Sequence, residues 1–418
     1  MDKYCQRSYY ALLISQSLAK IGDTLYFMAV THYILKQIPW ADGACVRQQT
    51  LFVIISLSML FGTSLLAPII FRRLHLYQSL VRARVLQLGI IALLMILAYL
   101  KLDTIWSVFG IFILLAAVAF CEGVLSASRN AYWSHLVKSK LLAKSNKIVF
   151  SLFFPIAACM GYFFSSFFWG STAGDTFLWQ IAIFIIFCIW TISLLLSMLI
   201  KIRPSLDQKK QKVSLGVLTS AWRYTFSHSF FRRLFLIELL EVTSAGIWTA
   251  PVLNIFIIKL LMCDGSWLPY LHGFYKVGGV VGGVLILTVI FRRVTSMYVL
   301  LFESLFHALL IGIYCLFPYI GINLVLSILM GISHSLRLSV QHTLMQSNTT
   351  LERLPQIYSV YKLVWLSAYN FGGVLMAYIV AELGLKWVYV VAIGLLCWSS
   401  AIAWRMLFLN RSLKHSSN

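Results

Sequence analysis

Residues 266–293 read SWLPYLHGFYKVGGVVGGVLILTVIFRR, an apolar run with one charge inside it, Lys276, closed by two arginines. About 20 apolar residues in a helix cross a hydrocarbon core roughly 30 Å thick, so this run is long enough to span a membrane. The run over 49–70 ends the same way, on Phe71-Arg72-Arg73, as the later one ends on Phe291-Arg292-Arg293. Working outward from these two, runs broken by charge or turn residues fall near 9–35, 49–70, 79–100, 105–128, 148–168, 177–200, 233–260, 266–290, 296–318, 321–344, 358–381 and 385–408. This spacing predicts twelve spans. The long polar stretch around Lys209, Lys210 and Lys212 divides them six and six. An FRR closing the second span of each half is what a duplicated six-helix unit would show. The alternative is two independent Arg pairs snorkelling to an interface.

Composition agrees. Of 418 residues, 60% are hydrophobic and 11% charged, against about 25% charged in a soluble domain. That excludes a disordered tail protein, a secreted disulfide scaffold and a soluble enzyme. The 34 Lys+Arg against 13 Asp+Glu give a net +21, but their placement does not suggest nucleic acid. Most lie near the N-terminus, in the loops after even-numbered spans (Arg82, Arg84, Lys138 and Lys144 among them), in the linker and near the C-terminus. The opposite loops hold only Lys36, Arg47, Lys101, Lys259 and Lys386, while Lys20 and Lys276 sit inside apolar runs. The positive-inside rule therefore places both termini and the linker in the cytoplasm of a multi-pass plasma-membrane protein. The expected organisation is a six-helix bundle over 1–203, a cytoplasmic linker over 204–230 and a second bundle over 231–418.

The eight Cys are scattered without a C-x-x-C, so no metal site or redox motif is expected. The sequence contains no Walker A, H-E-x-x-H, G-x-S-x-G or dinucleotide fingerprint, and neither enzyme chemistry nor a cofactor is expected.

Six plus six spans, a basic central loop and both ends inside resemble the major facilitator superfamily. Three patches are similar to its macrolide-efflux and enterobactin-exporter branch. They are Gly22-Asp23 in span 1, Glu122-Gly123 with the following Ser126-Ala127-Ser128-Arg129 and Leu141-Leu142-Ala143-Lys144-Ser145-Asn146, and Ser339 to Gln346 before span 11. The resemblance implies an all-α transporter of two pseudo-symmetric six-helix bundles working by alternating access as a monomer in a bacterial membrane. It would export an amphipathic drug-like or siderophore-like molecule by proton antiport. Uptake of a metabolite or lipid is the alternative, and a polytopic enzyme or scramblase a more distant one. The superfamily's loop after span 2 normally carries an Asp ahead of its basic residues. Here Pro68 stands about where that Asp belongs, so a cytoplasmic latch would need another partner. The gating candidates are Arg72, Arg73, Arg129, Arg292, Arg293 and Arg337.

An ionisable residue at bilayer depth costs about 2.5–3.5 kcal/mol on insertion scales, so each one needs a reason. The proton-coupling candidates are Asp23, Glu122 and Glu241. Asp23 either pairs with Lys20, one turn earlier, or binds a proton or substrate cation. Glu122 either serves coupling or pairs with Arg129. Glu238 and Glu241 share a face of span 7, with Glu241 the deeper and Glu238 near the interface, either solvated or paired with an arginine. Lys276 either neutralises Glu241 or Glu122 or holds an anionic group of the cargo. Glu303 and His307 form a relay or a structural hydrogen bond, and Arg337 is expected to snorkel. In the superfamily's architecture Lys20, Tyr26, Trp248, Tyr275, Lys276, Tyr361 and Trp365 would lie at the substrate cavity, with Phe27 and Tyr369 beside them.

Overall fold

The computed structural model describes residues 3–37, 44–61, 76–100, 105–136, 149–169, 175–200, 222–287, 296–349 and 354–415. The first half contains α1 (Lys3–Gln37), α2 (Ala44–Phe61), α3 (Leu76–Leu100), α4 (Ile105–Leu136), α5 (Phe154–Trp169) and α6 (Asp175–Met198). The second contains α7 (Ser229–Ser244), α8 (Ala250–Lys259), α9 (Trp267–Leu287), α10 (Ser296–Leu316), α11 (Ile320–Ser347), α12 (Leu354–Glu382) and α13 (Leu385–His415). No strand occurs among the described residues. With α7 and α8 read as one broken span, these segments fall on the twelve expected runs. Among the described residues, six helices are individually long and apolar enough to cross a membrane, and the α7–α8 pair makes a seventh.

Helix is dictated by the solvent. A backbone in hydrocarbon must satisfy its own N–H and C=O groups, and a helix does so within one segment. The outward faces stay apolar: Leu86, Leu93 and Ile96 on α3 and Phe302, Leu305 and Leu309 on α10 are all exposed, as acyl chains require.

Contacts divide the chain into two compact units, residues 1–37 with 51–213, and 38–50 with 214–418. In the first unit α1 packs on α5 and α6, and α3 on α4 and α6. In the second, α7 packs on α12 and α13, and α10 on α11 and α13. The first helix of each set thus meets the fifth and sixth, and the third meets the fourth and sixth. This is the order of neighbours that a duplicated bundle would have.

Small residues and hydroxyls set the closest approaches, as expected where apolar surface alone gives no preference between helix and lipid. Ser15 of α1 donates to the Ser193 carbonyl of α6 at 2.8 Å, and Ser193 donates back to the Ser15 carbonyl at 3.0 Å. A Cβ at Gly278 of α9 would strike the Ile328 backbone of α11, and one at Gly282 would come within 2.8 Å of the Ile332 carbonyl oxygen. The glycine pairs of the quoted run are therefore packing surfaces.

The seventh span departs from the expected continuous run over 233–260. Its two parts bend by 47° at a 3₁₀ turn, Ala245–Trp248, and an extended Thr249. Pro251 in the first turn of α8 accounts for a restart there, since it lacks an N–H to continue the ladder. At the break, Gly246 lies against the Gly372 backbone of α12, where neither position has room for a Cβ.

Gly278→Val should cost about 1–3 kcal/mol through overpacking, read as a fall in Tm and a loss of monodisperse protein. Gly89→Ala, at a position with open space, should leave both unchanged.

Candidate functional site

The second unit buries a four-residue charge cluster. Glu238 and Glu241, one turn apart on α7, point into the bundle and are 1% and 4% exposed. Arg337 of α11, itself 4% exposed, forks between them, one terminal nitrogen on each carboxylate. Its Nε lies 3.7 Å from the Glu303 carboxylate of α10. Neutral groups complete the shell. Glu238 accepts hydrogen bonds from Gln341 Nε2 at 2.8 Å and the Tyr361 hydroxyl at 2.9 Å. Glu241 Oε1 accepts from Ser304 at 2.5 Å and Ser399 at 2.7 Å. Glu303 Oε1 accepts from Ser333 at 3.2 Å and lies 3.3 Å from His307 Nδ1.

One expectation is corrected here and another decided. Arg337 does not snorkel, and of the two readings of Glu238 it is the arginine-paired one that holds, with the carboxylate buried rather than solvated. Hydropathy ended span 10 near residue 344, whereas α11 continues to Ser347, leaving Arg337 about 15 Å inside the helix end. Its stem has no short route to water, so the guanidinium is neutralised in place. Glu303, Ser304, Ser399 and Gln341 were not singled out as members of one cluster. A signal existed on α11, where Ser333, Arg337 and Gln341 recur every four residues and all are buried.

The first unit holds a looser cluster. Asp23 of α1 lies 3.9 Å from Arg84 of α3. Arg84 donates to Gln87 Oε1 at 2.6 Å and stands over the Trp190 ring of α6 at 5.3 Å. Gly22 makes room for that indole, since a Cβ there would come within 2.5 Å of Trp190 Nε1. Arg84, counted from sequence among the cytoplasmic loops, is instead 3% exposed inside α3. It belongs to the helix's inward stripe with Leu80, Gln87 and Ile91.

The other candidates are distributed as follows. Lys20 and Glu122 are half-buried on α1 and α4. Tyr26 packs on Trp190 at 5.7 Å and donates to the Leu115 carbonyl at 3.0 Å. Trp248 meets Tyr314 edge-on at 5.1 Å. Lys276 lies over the Tyr275 ring at 5.1 Å, and Tyr275 neighbours His334 at 5.9 Å. Sequence leaves Lys276 open between neutralising Glu241 or Glu122 and holding an anionic group of the cargo; the cation in contact with Glu241 is Arg337. Trp365 and Tyr369 stack at 5.5 Å along α12. Arg129 lies in α4, its side chain outside the described set. Arg72, Arg73, Arg292 and Arg293 lie outside the described residues, as do Pro68 and most of the linker.

Removing one partner of a buried ion pair typically costs 3–5 kcal/mol, because it strands the other charge. Arg337→Met should therefore lower stability by about that amount. Adding Glu238→Gln and Glu241→Gln should restore most of the lost Tm, whereas independent additive losses would contradict the cluster.

No known family profile matches the chain. It is 24% identical over 400 residues, 95% of each chain, to the uncharacterised MFS-type transporter YfmI of Bacillus subtilis (strain 168). Among solved structures it is similar to a D-xylose-proton symporter, with TM-score 0.73 and 12% identity over 95% of this chain and 97% of that one. It is also similar to the nucleoside transporter NupG, with TM-score 0.67 and 14% identity over 96% and 98%. The E. coli fucose:proton symporter FucP gives TM-score 0.67 and 14% identity over 95% and 98%. These proteins are transporters rather than enzymes. The chain has the major facilitator fold, and along nearly its whole length it is similar to membrane transporters.

Proposed function

We propose that this protein is a secondary active transporter that exports an amphipathic small molecule by alternating access, driven by proton influx across a bacterial plasma membrane. The observation that carries proton coupling is the charge balance around Arg337. Three buried carboxylates face one guanidinium, with His307 beside Glu303 as the second possible cation, so full ionisation leaves at least one negative charge uncompensated in a low-dielectric site. A bound proton relieves it.

The partners distinguish the carboxylates. Glu238 Oε2 is held by the N–H groups of Arg337 and Gln341, which only donate, and its Oε1 by the single Tyr361 hydroxyl. Glu241 Oε1 instead meets two serine hydroxyls, which can donate to a carboxylate or accept from a carboxylic acid. Glu241 can thus change protonation state without changing neighbours. Asp23 beside Arg84 is the second candidate and Glu122 the third.

Export is supported by the likeness of the Gly22-Asp23, Glu122-Gly123 and Ser339–Gln346 patches to the macrolide-efflux and enterobactin-exporter branch. Lys20 and Lys276 favour a cargo with an acidic group. Uptake by symport is the second reading, favoured by the fold's similarity to nucleoside, fucose and xylose transporters.

Transport into inverted vesicles, with and without a pH gradient, tests the proposal. Glu241→Gln should cut gradient-driven efflux to about a tenth or less while leaving counterflow exchange largely intact. Full proton-dependent efflux in Glu241→Gln would move coupling to Asp23. The same result in Asp23→Asn and Glu122→Gln as well would sink all three assignments. Accumulation in right-side-out vesicles, with none in inverted ones, would establish uptake instead.

A further inference from the structure

We propose that the elbow where the chain enters α7 is a binding site for the headgroup of an anionic phospholipid. The site lies outside both charge clusters and does not depend on cargo or direction of transport.

Residues 222–227 form a short helix that bends at His228 into α7. The bend is held by its own side chains. The Ser227 hydroxyl donates to the Tyr224 carbonyl at 2.9 Å, and His228 Nδ1 lies 3.0 Å from the same oxygen. The Tyr224 ring packs on His228 at 4.2 Å and on Phe231 at 6.3 Å. Trp222, Tyr224 and Phe230 also pack against the buried cluster of Phe231, Leu234, Leu300, Met345 and Val360. The elbow is therefore fixed to the second unit and has a defined outer face.

That outer face suits a lipid headgroup. Trp222 and Phe226 stack at 5.1 Å with planes 8° apart, and Phe226 is exposed. Arg223 and Arg232 are exposed, and Arg233 is half-buried. No Asp or Glu occurs between residues 222 and 237, so the charges that the elbow itself contributes are all basic. Arg232 also shares a helical face with Leu236 and Leu239, which are exposed on α7. With those leucines turned to acyl chains, Arg232 would stand about one turn beyond them, at headgroup depth. Guanidinium groups match phosphate oxygens in charge and geometry, and aromatic rings favour this boundary layer. The geometry thus continues the lipid-facing stripe of α7 into a cationic, aromatic cap. Because α7 carries Glu238 and Glu241, lipid held here would also brace the helix that presents the charge cluster.

The test uses the purified full chain in detergent, titrated with phosphatidylglycerol or phosphatidylcholine in mixed micelles. Lipid retention is read by native mass spectrometry and stability by thermal unfolding. Phosphatidylglycerol should bind about thirtyfold more tightly than phosphatidylcholine, as expected for two surface cations. The Arg223→Gln/Arg232→Gln variant should lose that preference. Arg405→Gln, which removes an exposed charge on α13, should retain it, and Phe226→Ala should weaken phosphatidylglycerol binding. Equal binding of the two lipids by the unaltered chain would overturn the proposal. So would loss of preference in Arg405→Gln matching that of the double variant. A full stabilising shift from water-soluble glycerol phosphate alone would show a soluble-phosphate site instead.

Discussion

A charge taken out of water must be matched where it lies, and the interiors of both units are arranged around that constraint. Born costs of tens of kcal/mol forbid a bare carboxylate or guanidinium in hydrocarbon. Arg337 is accordingly gripped by Glu238, Glu241 and Glu303, which lie on α7 and α10. The cluster ties three helices into one electrostatic unit, and serines from α10 and α13 close the shell around Glu241. Packing follows the same logic, since apolar faces can go outward and only polar or small surfaces gain by meeting each other. Hence the serine ladder between α1 and α6 and the glycine contacts between α9 and α11.

Comparison of the halves shows what was kept and what moved. Asp23 on the first helix of one unit and Glu241 on the first helix of the other are 218 residues apart, close to the 220 that separate the two FRR triplets. The counter-ion is not equivalent: it comes from the third helix in one case, Arg84, and from the fourth in the other, Arg337. The contacts differ too. Arg84 stands 3.9 Å from Asp23 over an indole, whereas Arg337 is in direct contact with two carboxylates. One half therefore holds a loose pair, and the other three carboxylates gathered around one guanidinium.

The spans were legible because run length and the absence of charge report directly on the bilayer, and the glycine pairs near Lys276 announced close packing. The roles of Arg84 and Arg337 were not. A linear count treats an arginine near the end of an apolar run as a loop or snorkelling residue, but helix α11 runs past that apparent end. Helical periodicity carried the missing information: Ser333, Arg337 and Gln341 form a polar stripe, and Arg84 sits in register with Leu80, Gln87 and Ile91. The bend in the seventh span was encoded by Gly246 and Pro251, whose effect depends on the close approach of Gly372. That partner lies more than a hundred residues away, beyond what local pattern reaches. Asp23, Glu122 and Glu241 were picked out by depth, the first two also by the resemblance, and the arginines beside Asp23 and Glu241 required the fold.

The central claim is that Glu241 exchanges a proton within the cluster while Glu238 remains ionised. Infrared difference spectroscopy of the purified transporter between acidic and alkaline buffer measures this directly, through the carbonyl stretch of a protonated carboxyl group. A pH-dependent band that vanishes in Glu241→Gln and persists in Glu238→Gln is the predicted result. A band unchanged in Glu241→Gln would contradict the account.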